Sequence, residues 1–204
     1  MVQLKNMKPG ADKKDAVRAE ILSGARDLFQ KYGIDKTTME DIAEAAGKGK
    51  STLYYYFKKK EDVFYAVVEE ESADMLALVE RALKGGKTAG EKLRLFFNTH
   101  DDAVRNKAKL YPMVFKETKK HLPLFQRIQR ESNSLEISLF KSILLEGIAS
   151  GEFKSIRKGE CDAIALMGVT TLHSMQLTLI LDGKIPSKED RMEVMLDIFV
   201  RGLE

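Results

Sequence analysis

The sequence contains a single cysteine, Cys161, in 204 residues. That excludes an intrachain disulfide and fits a reducing, cytoplasmic compartment. The apolar residues that follow Cys161 make it read as a small buried side chain and not as a nucleophile. No stretch alternates apolar and polar residues for long enough to be a convincing strand, and there is no internal repeat or low-complexity linker. Without strands there is no glycine-rich phosphate loop of the kind that follows one. His100, His121 and His173 are too scattered in sequence to show metal-ligand spacing, so no metal or cofactor is expected. The acidic run Glu69, Glu70, Glu71 points in three directions on a helix and reads as a solvated face. No catalytic constellation emerges from these residues. The first residues, MVQLKNMKPGADKK, have no apolar run; the expectation for residues 1–14 is a flexible basic arm and not a secretion signal. Residues 163–181 carry no formal charge, a length that raises the question of a membrane span. Thr170, Thr171, His173, Ser174, Gln176 and Thr178 argue against one, and no membrane partner is expected.

Charge is modest overall but unevenly placed. The formal net charge is +3. Residues 1–60 hold 13 Lys and Arg against 8 Asp and Glu, a net +5, and the remainder carries −2. A segregated basic excess is the electrostatic footprint of a nucleic-acid-binding segment.

The most informative stretch lies inside that basic part. Residues 37–57 read TTMEDIAEAAGKGKSTLYYYF. Met39, Ile42, Ala43 and Ala46 recur at helical spacing, Gly47 follows, and Leu53 and Phe57 open a second short apolar face. Two short helices crossing steeply need a small contact residue, which Ala43 supplies, and a glycine where the first must stop. Thr37 followed three residues later by Glu40 predicts a capping box at the start of the first helix. Three consecutive tyrosines cannot all face one core, so at least one phenol is exposed. Lys50, Ser51, Thr52 and Tyr55, beside Lys58, Lys59 and Lys60, make a face suited to phosphates and base edges.

Residues 16–64 resemble the N-terminal domain of the TetR family of transcriptional regulators. The matching parts are AVRAEILSGARDLFQKYG, TTMEDIAEAAG and KSTLYYYFKKKEDVF. The family pattern is met at Thr38, Ile42, Ala43, Ala46, Gly47, Thr52, Leu53, Tyr54, Tyr56, Phe57, Lys60 and Glu61. One departure is Lys48, followed by Gly49, where the family usually has an apolar residue directly after the glycine. A lysine stem can still cover apolar surface with its head in water. The resemblance implies DNA contacts from Thr38, Lys48, Lys50, Ser51, Thr52, Tyr54, Tyr55, Tyr56 and Lys60.

Beyond residue 60 the chain reads as helices divided by glycine and proline. One long helix is expected over residues 61–83, ended by Gly85 and Gly86, and Thr88 with Glu91 predicts a second capping box before an apolar pattern of Leu93, Phe96 and Phe97. Pro112 is expected to interrupt a short helix starting near Lys107. Pro123 precedes a further long helix that Gly151 ends. Asp182 and Gly183 end the uncharged helix, and Pro186 and Ser187 open the last one.

The expected architecture is all-α. It comprises the arm, a three-helix helix-turn-helix domain over residues 15–62, and a helical ligand-binding and dimerisation domain over residues 63–204. In the family the last two helices pair with their symmetry mates, which assigns Leu172, Leu179, Met195 and Phe199 to a homodimer interface. The resemblance further implies an effector cavity. Aromatic and methionine content suits an adaptable apolar pocket, and the lining residues expected are Phe96, His100, Met113, Phe125, Phe140, Met167, His173 and Gln176. The expected effector is a small apolar or amphipathic molecule, and because the apolar faces show no convincing buried carboxylate, neutral or anionic compounds are the first candidates. The function expected is a DNA-binding regulator, a repressor released from its operator by that molecule. A ligand-independent DNA-binding protein and a helical enzyme are the alternatives.

Overall fold

The computed structural model describes the backbone of residues 9–181 and 192–204 and side chains from residue 14 onward, apart from 125, 128–132, 178–181, 192 and 193. The described residues form helices and no strand: α1 (Pro9–Lys36), α2 (Met39–Ala45), α3 (Lys50–Tyr56), α4 (Lys60–Leu83), α5 (Ala89–Leu110), α6 (Pro112–Glu117), α7 (Leu122–Ser150), a 3-10 turn (Lys158–Glu160), α8 (Cys161–Leu181) and α9 (Met192–Leu203).

The chain divides into two compact units. The first takes the chain up to Val68 together with Tyr111–Glu117, and the second takes Glu69–Leu110 with Thr118–Glu204. The helix α6, inside the range expected for the ligand-binding domain, thus groups with α1 to α3.

In the first unit Ile21, Leu22, Phe29, Ile42, Leu53, Val63 and Phe64 are fully or almost fully buried. Phe29 and Phe64 meet edge to face at 5.2 Å, the arrangement that ring quadrupoles favour. Residues 9–14 of the segment expected to be a flexible arm are helical, the first turns of α1. That helix is interrupted at Gly33, with φ 82° and ψ −174°, a backbone that a side chain makes costly.

The start of α2 differs from expectation by one residue. The capping box is made by Thr38 and Asp41: the Thr38 hydroxyl accepts the Asp41 N–H at 3.1 Å, and the Asp41 carboxylate accepts the Thr38 N–H at 2.9 Å. Thr37 is unavailable for that role because it is buried and its hydroxyl donates to the Gly33 carbonyl at 2.7 Å. Two adjacent threonines divide two tasks, closing α1 and opening α2. Gly47 takes φ 62° after α2, as its position anticipated.

The second unit has its own core. Phe96 and Phe97 from α5 and Phe140 from α7 are buried and pack edge to face, with Phe140 5.2 Å from Phe96 and 5.6 Å from Phe97. Val169 and Leu172 from α8 and Leu196 and Val200 from α9 close the same cluster. Pro112 does not interrupt a helix: α5 ends at Leu110, and Pro112 is the first residue of α6, where a missing N–H costs nothing. At the start of α5 the Thr88 hydroxyl accepts the Glu91 N–H, while the Glu91 carboxylate reaches back to the Lys87 N–H. The Ala89 and Gly90 amides are taken by Glu152, at 2.7 and 2.9 Å. Gly151 caps α7 with φ 76°. Cys161 is fully buried, and burial pushes its thiol pKa up. The expected start of the last helix at Pro186 and Ser187 lies outside the described residues. Among the described residues no helix is long and apolar enough to cross a membrane.

Candidate nucleic-acid interface and buried polar cluster

In the first unit α3 is anchored by two side chains. Leu53 is fully buried and Phe57, just past the helix end, is nearly so. A seven-residue helix with that single inward line must turn its other sides outward. Lys50, Ser51, Tyr54 and Tyr55 are exposed, while Thr52 and Tyr56 are half-buried. Tyr55 is 64% exposed. Its hydroxyl accepts from the Lys14 ammonium at 3.1 Å, and its ring packs against Tyr56 at 5.2 Å.

Three cations of the motif have protein partners. Lys50 pairs with Glu40 of α2 at 3.0 Å, both side chains half or more exposed, a weak link that solvent screens. Lys48 pairs with Glu20 of α1, its own side chain 25% exposed. The lysine therefore lays its stem in the place after the glycine and carries its charge to an acid at the edge. Lys60 donates to three carbonyls, those of Ile34 at 2.6 Å, Thr37 at 2.9 Å and Asp35 at 3.2 Å. Its ammonium thereby binds the last turn of α1 to the first of α4. Thr38 directs its hydroxyl to the Asp41 carboxylate at 2.7 Å. Asp41 lies below the usual carboxylate range because the Thr38 hydroxyl and amide favour its charged form.

The second unit brings three of the expected ligand residues together. His100 on α5 and His173 on α8 face each other with Nε2 atoms 3.2 Å apart, and the Gln176 side-chain amide lies 3.1 Å from His100 Nδ1. A residue that sequence reasoning missed completes the group. Glu136 on α7 places Oε2 2.8 Å from His173 Nε2 and 3.4 Å from His100 Nε2. All four side chains are buried. The expectation that this region lacks a buried carboxylate is overturned by Glu136, and with it the reason for preferring a neutral or anionic effector. Burial by itself would raise the Glu136 carboxyl, but the two imidazoles outweigh it and hold the pKa down to about 2. A signal was present in the sequence: Glu136 precedes Phe140, Ile143 and Gly147 at helical spacing, so the buried face of α7 runs back through it.

The other expected pocket residues are dispersed. Phe96 and Phe140 belong to the aromatic core. Met113 sits in α6, in the first unit. Met167 is 67% exposed, on the outer face of α8. The side chain of Phe125 lies outside the described residues. Of the expected interface residues, Leu172 is fully buried in its own unit's core, so it is not available to a partner. Met195 and Phe199 are half-buried against that core, and the Leu179 side chain lies outside the described residues. Among the described residues, the large apolar side chains that α8 and α9 leave exposed are Leu166, Met167, Val194 and Ile198.

Residues 21–67 match the family model described as bacterial regulatory proteins, tetR family. No curated protein matches the chain. Among solved structures, a transcriptional regulator from Cytophaga hutchinsonii ATCC 33406 is 27% identical, with 90% of each chain covered and a TM-score of 0.64. The fatty acid degradation regulator FadR from Bacillus halodurans is 20% identical over 98% of this chain and 96% of its own, also with a TM-score of 0.64. RolR in complex with resorcinol is 20% identical over 95% and 90%, again at 0.64.

Proposed function

The helix-turn-helix domain of this chain belongs to the bacterial regulatory proteins of the tetR family, and from that premise we propose that the protein is a homodimeric repressor whose grip on its operator is loosened by a small molecule. The observation that carries the reading is α3, pinned by Leu53 and Phe57 while Lys50, Ser51, Tyr54 and Tyr55 stand in solvent. Lys50 and Tyr55 reach base edges, and Ser51, Thr52, Tyr54 and Tyr56 position the phosphates. Thr38, Lys48 and Lys60 act on DNA by holding the motif in shape, through the bonds they make to Asp41, Glu20 and the end of α1.

Two recognition helices must stand about 34 to 36 Å apart to enter successive major grooves on one side of the duplex. A symmetric dimer supplies that pair, and the exposed apolar residues Leu166, Met167, Val194 and Ile198 are the surface it would cover. The effector acts from the second unit. A ligand held by RolR supports a small molecule in that role by analogy of fold. Release requires that the effector bind the DNA-free state better, and a typical coupling of about 1 to 3 kcal/mol weakens operator binding roughly 5- to 150-fold.

Selection of random duplexes by the purified chain, followed by anisotropy titration of the winning sequence, tests the reading. A recovered operator, bound by the wild type and lost with Lys50→Ala, is the expected result. Equal affinity for random duplex at every salt concentration sinks it. A selective operator that no small molecule releases would favour the ligand-independent alternative.

A further inference from the structure

From the convergence of His100, Glu136 and His173 we propose a buried site for one divalent late first-row transition-metal ion of the zinc class. Each side chain offers one ligand atom, and these atoms all lie within 4.8 Å of one another. Taken at His100 Nε2, His173 Nε2 and Glu136 Oε2, they form a triangle with sides of 2.8, 3.2 and 3.4 Å. Donors about 2.0 to 2.2 Å from a single ion in tetrahedral array are separated by about 3.3 Å, so the triangle has the size of one face of such a shell. An ion about 1 Å above its plane would stand at normal metal–ligand distances from all three atoms.

The arrangement also lacks the satisfaction that a purely structural polar cluster should have. Glu136 Oε2 is buried and close to both rings, yet it receives no well-directed hydrogen bond from either. An unpaired buried carboxylate oxygen is expensive, and a cation held between it and the two Nε2 atoms would satisfy it. With its Nε2 on the metal, His100 needs an acceptor for the proton on Nδ1. Gln176 stands 3.1 Å away, and its amide oxygen, turned toward the ring, would fix the required tautomer.

The donor set selects the metal class. Two imidazoles and one carboxylate suit zinc, iron, cobalt, nickel or copper in their divalent states. Calcium and magnesium prefer oxygen shells, and Cu(I) prefers sulfur. Three protein donors leave a fourth position for water or for an atom of a bound small molecule. The proposal is independent of the DNA reading, since all the ligands lie in the second unit.

The test uses the full chain, stripped with a chelator and titrated with Zn2+ alone by calorimetry. Co2+ in place of Zn2+ reports coordination through its visible absorption. We expect one ion per chain, a Tm that rises with Zn2+ concentration, and intense tetrahedral Co2+ bands. Gln176→Ala should weaken Zn2+ binding about 10- to 100-fold while leaving the stoichiometry at one. Glu136→Gln and His173→Gln should abolish the Co2+ bands, with far-UV circular dichroism confirming that each variant remains helical. Absence of stoichiometric Zn2+ binding by the folded wild type overturns the proposal, as does binding that persists unchanged in both folded variants.

Discussion

The Glu117 carboxylate accepts the backbone N–H of Ile34 at 2.6 Å, joining α6 to the broken end of α1 across 83 positions of sequence. The Asp35 N–H lies 3.4 Å from the same group. The contact is available because α1 breaks at Gly33, freeing amides that a continuous helix would have used. A Cβ at Gly33 would stand 2.7 Å from Glu117 Oε1, so the glycine is needed both for its backbone angle and for the space.

Gly33→Ala and Glu117→Ala should therefore damage one contact. Each is expected to destabilise the first unit by about 1 to 3 kcal/mol, the cost of a strained positive φ in one case and of the lost charged bond to the part-buried Ile34 amide in the other. Because both remove the same interaction, the double variant should lose clearly less than the sum, and urea denaturation of all four proteins measures the coupling. Strict additivity would mean that the two residues act separately.

Lys50 and Lys60 should separate in operator binding and stability. Lys50→Ala is expected to weaken operator binding and relax sequence preference at the base it reads, with Tm nearly unchanged. Lys60→Ala removes a cation whose donors serve three carbonyls, so its expected effect is a lower Tm with a nearly unchanged dependence of operator affinity on salt. Tyr55→Ala should change which duplexes are selected more than how tightly random duplex is held.

Glu152 makes stability dependent on acid. Its carboxyl is drawn up by burial, but the Gly90 and Ala89 amides and the Thr88 hydroxyl outweigh this and hold it below the usual range. The folded pKa is depressed, so the stabilisation is complete above the unfolded value, at about pH 5.5 and higher, and is lost as pH falls through the folded value. Glu152→Ala should cost about 0.5 to 2 kcal/mol at neutral pH, as other N-terminal caps do. Denaturation midpoints of wild type and variant should converge as the pH falls through the folded value.

The dimer is tested on surface residues and not on core ones. Met167→Asp or Ile198→Asp should give a helical monomer in sedimentation, because both side chains are about two-thirds exposed in one chain. Leu172→Asp should instead unfold the second unit, since it buries a charge in the core. A wild type that sediments as a monomer at micromolar concentration would contradict the interface.

Much of this protein is written locally in its chain. The helix limits at Gly47 and Gly151, the inward line of Leu53 and Phe57, and the outward tyrosine follow from spacing and backbone preference, which act within a few residues. The capping of α2 was legible as a motif but not in its register, because Thr37 is claimed by Gly33, and that claim depends on how α1 ends. The same limit hid α6: nothing near Glu117 reveals that its partner is an amide at Ile34. The cluster of His100, Glu136 and His173 is the clearest case. Each residue sits at a buried phase of its own helix, which periodicity can show, but their convergence depends on the packing of α5, α7 and α8. Local periodicity tells which face of a helix avoids water. Only the assembled core decides which polar groups on those faces must share one dry point.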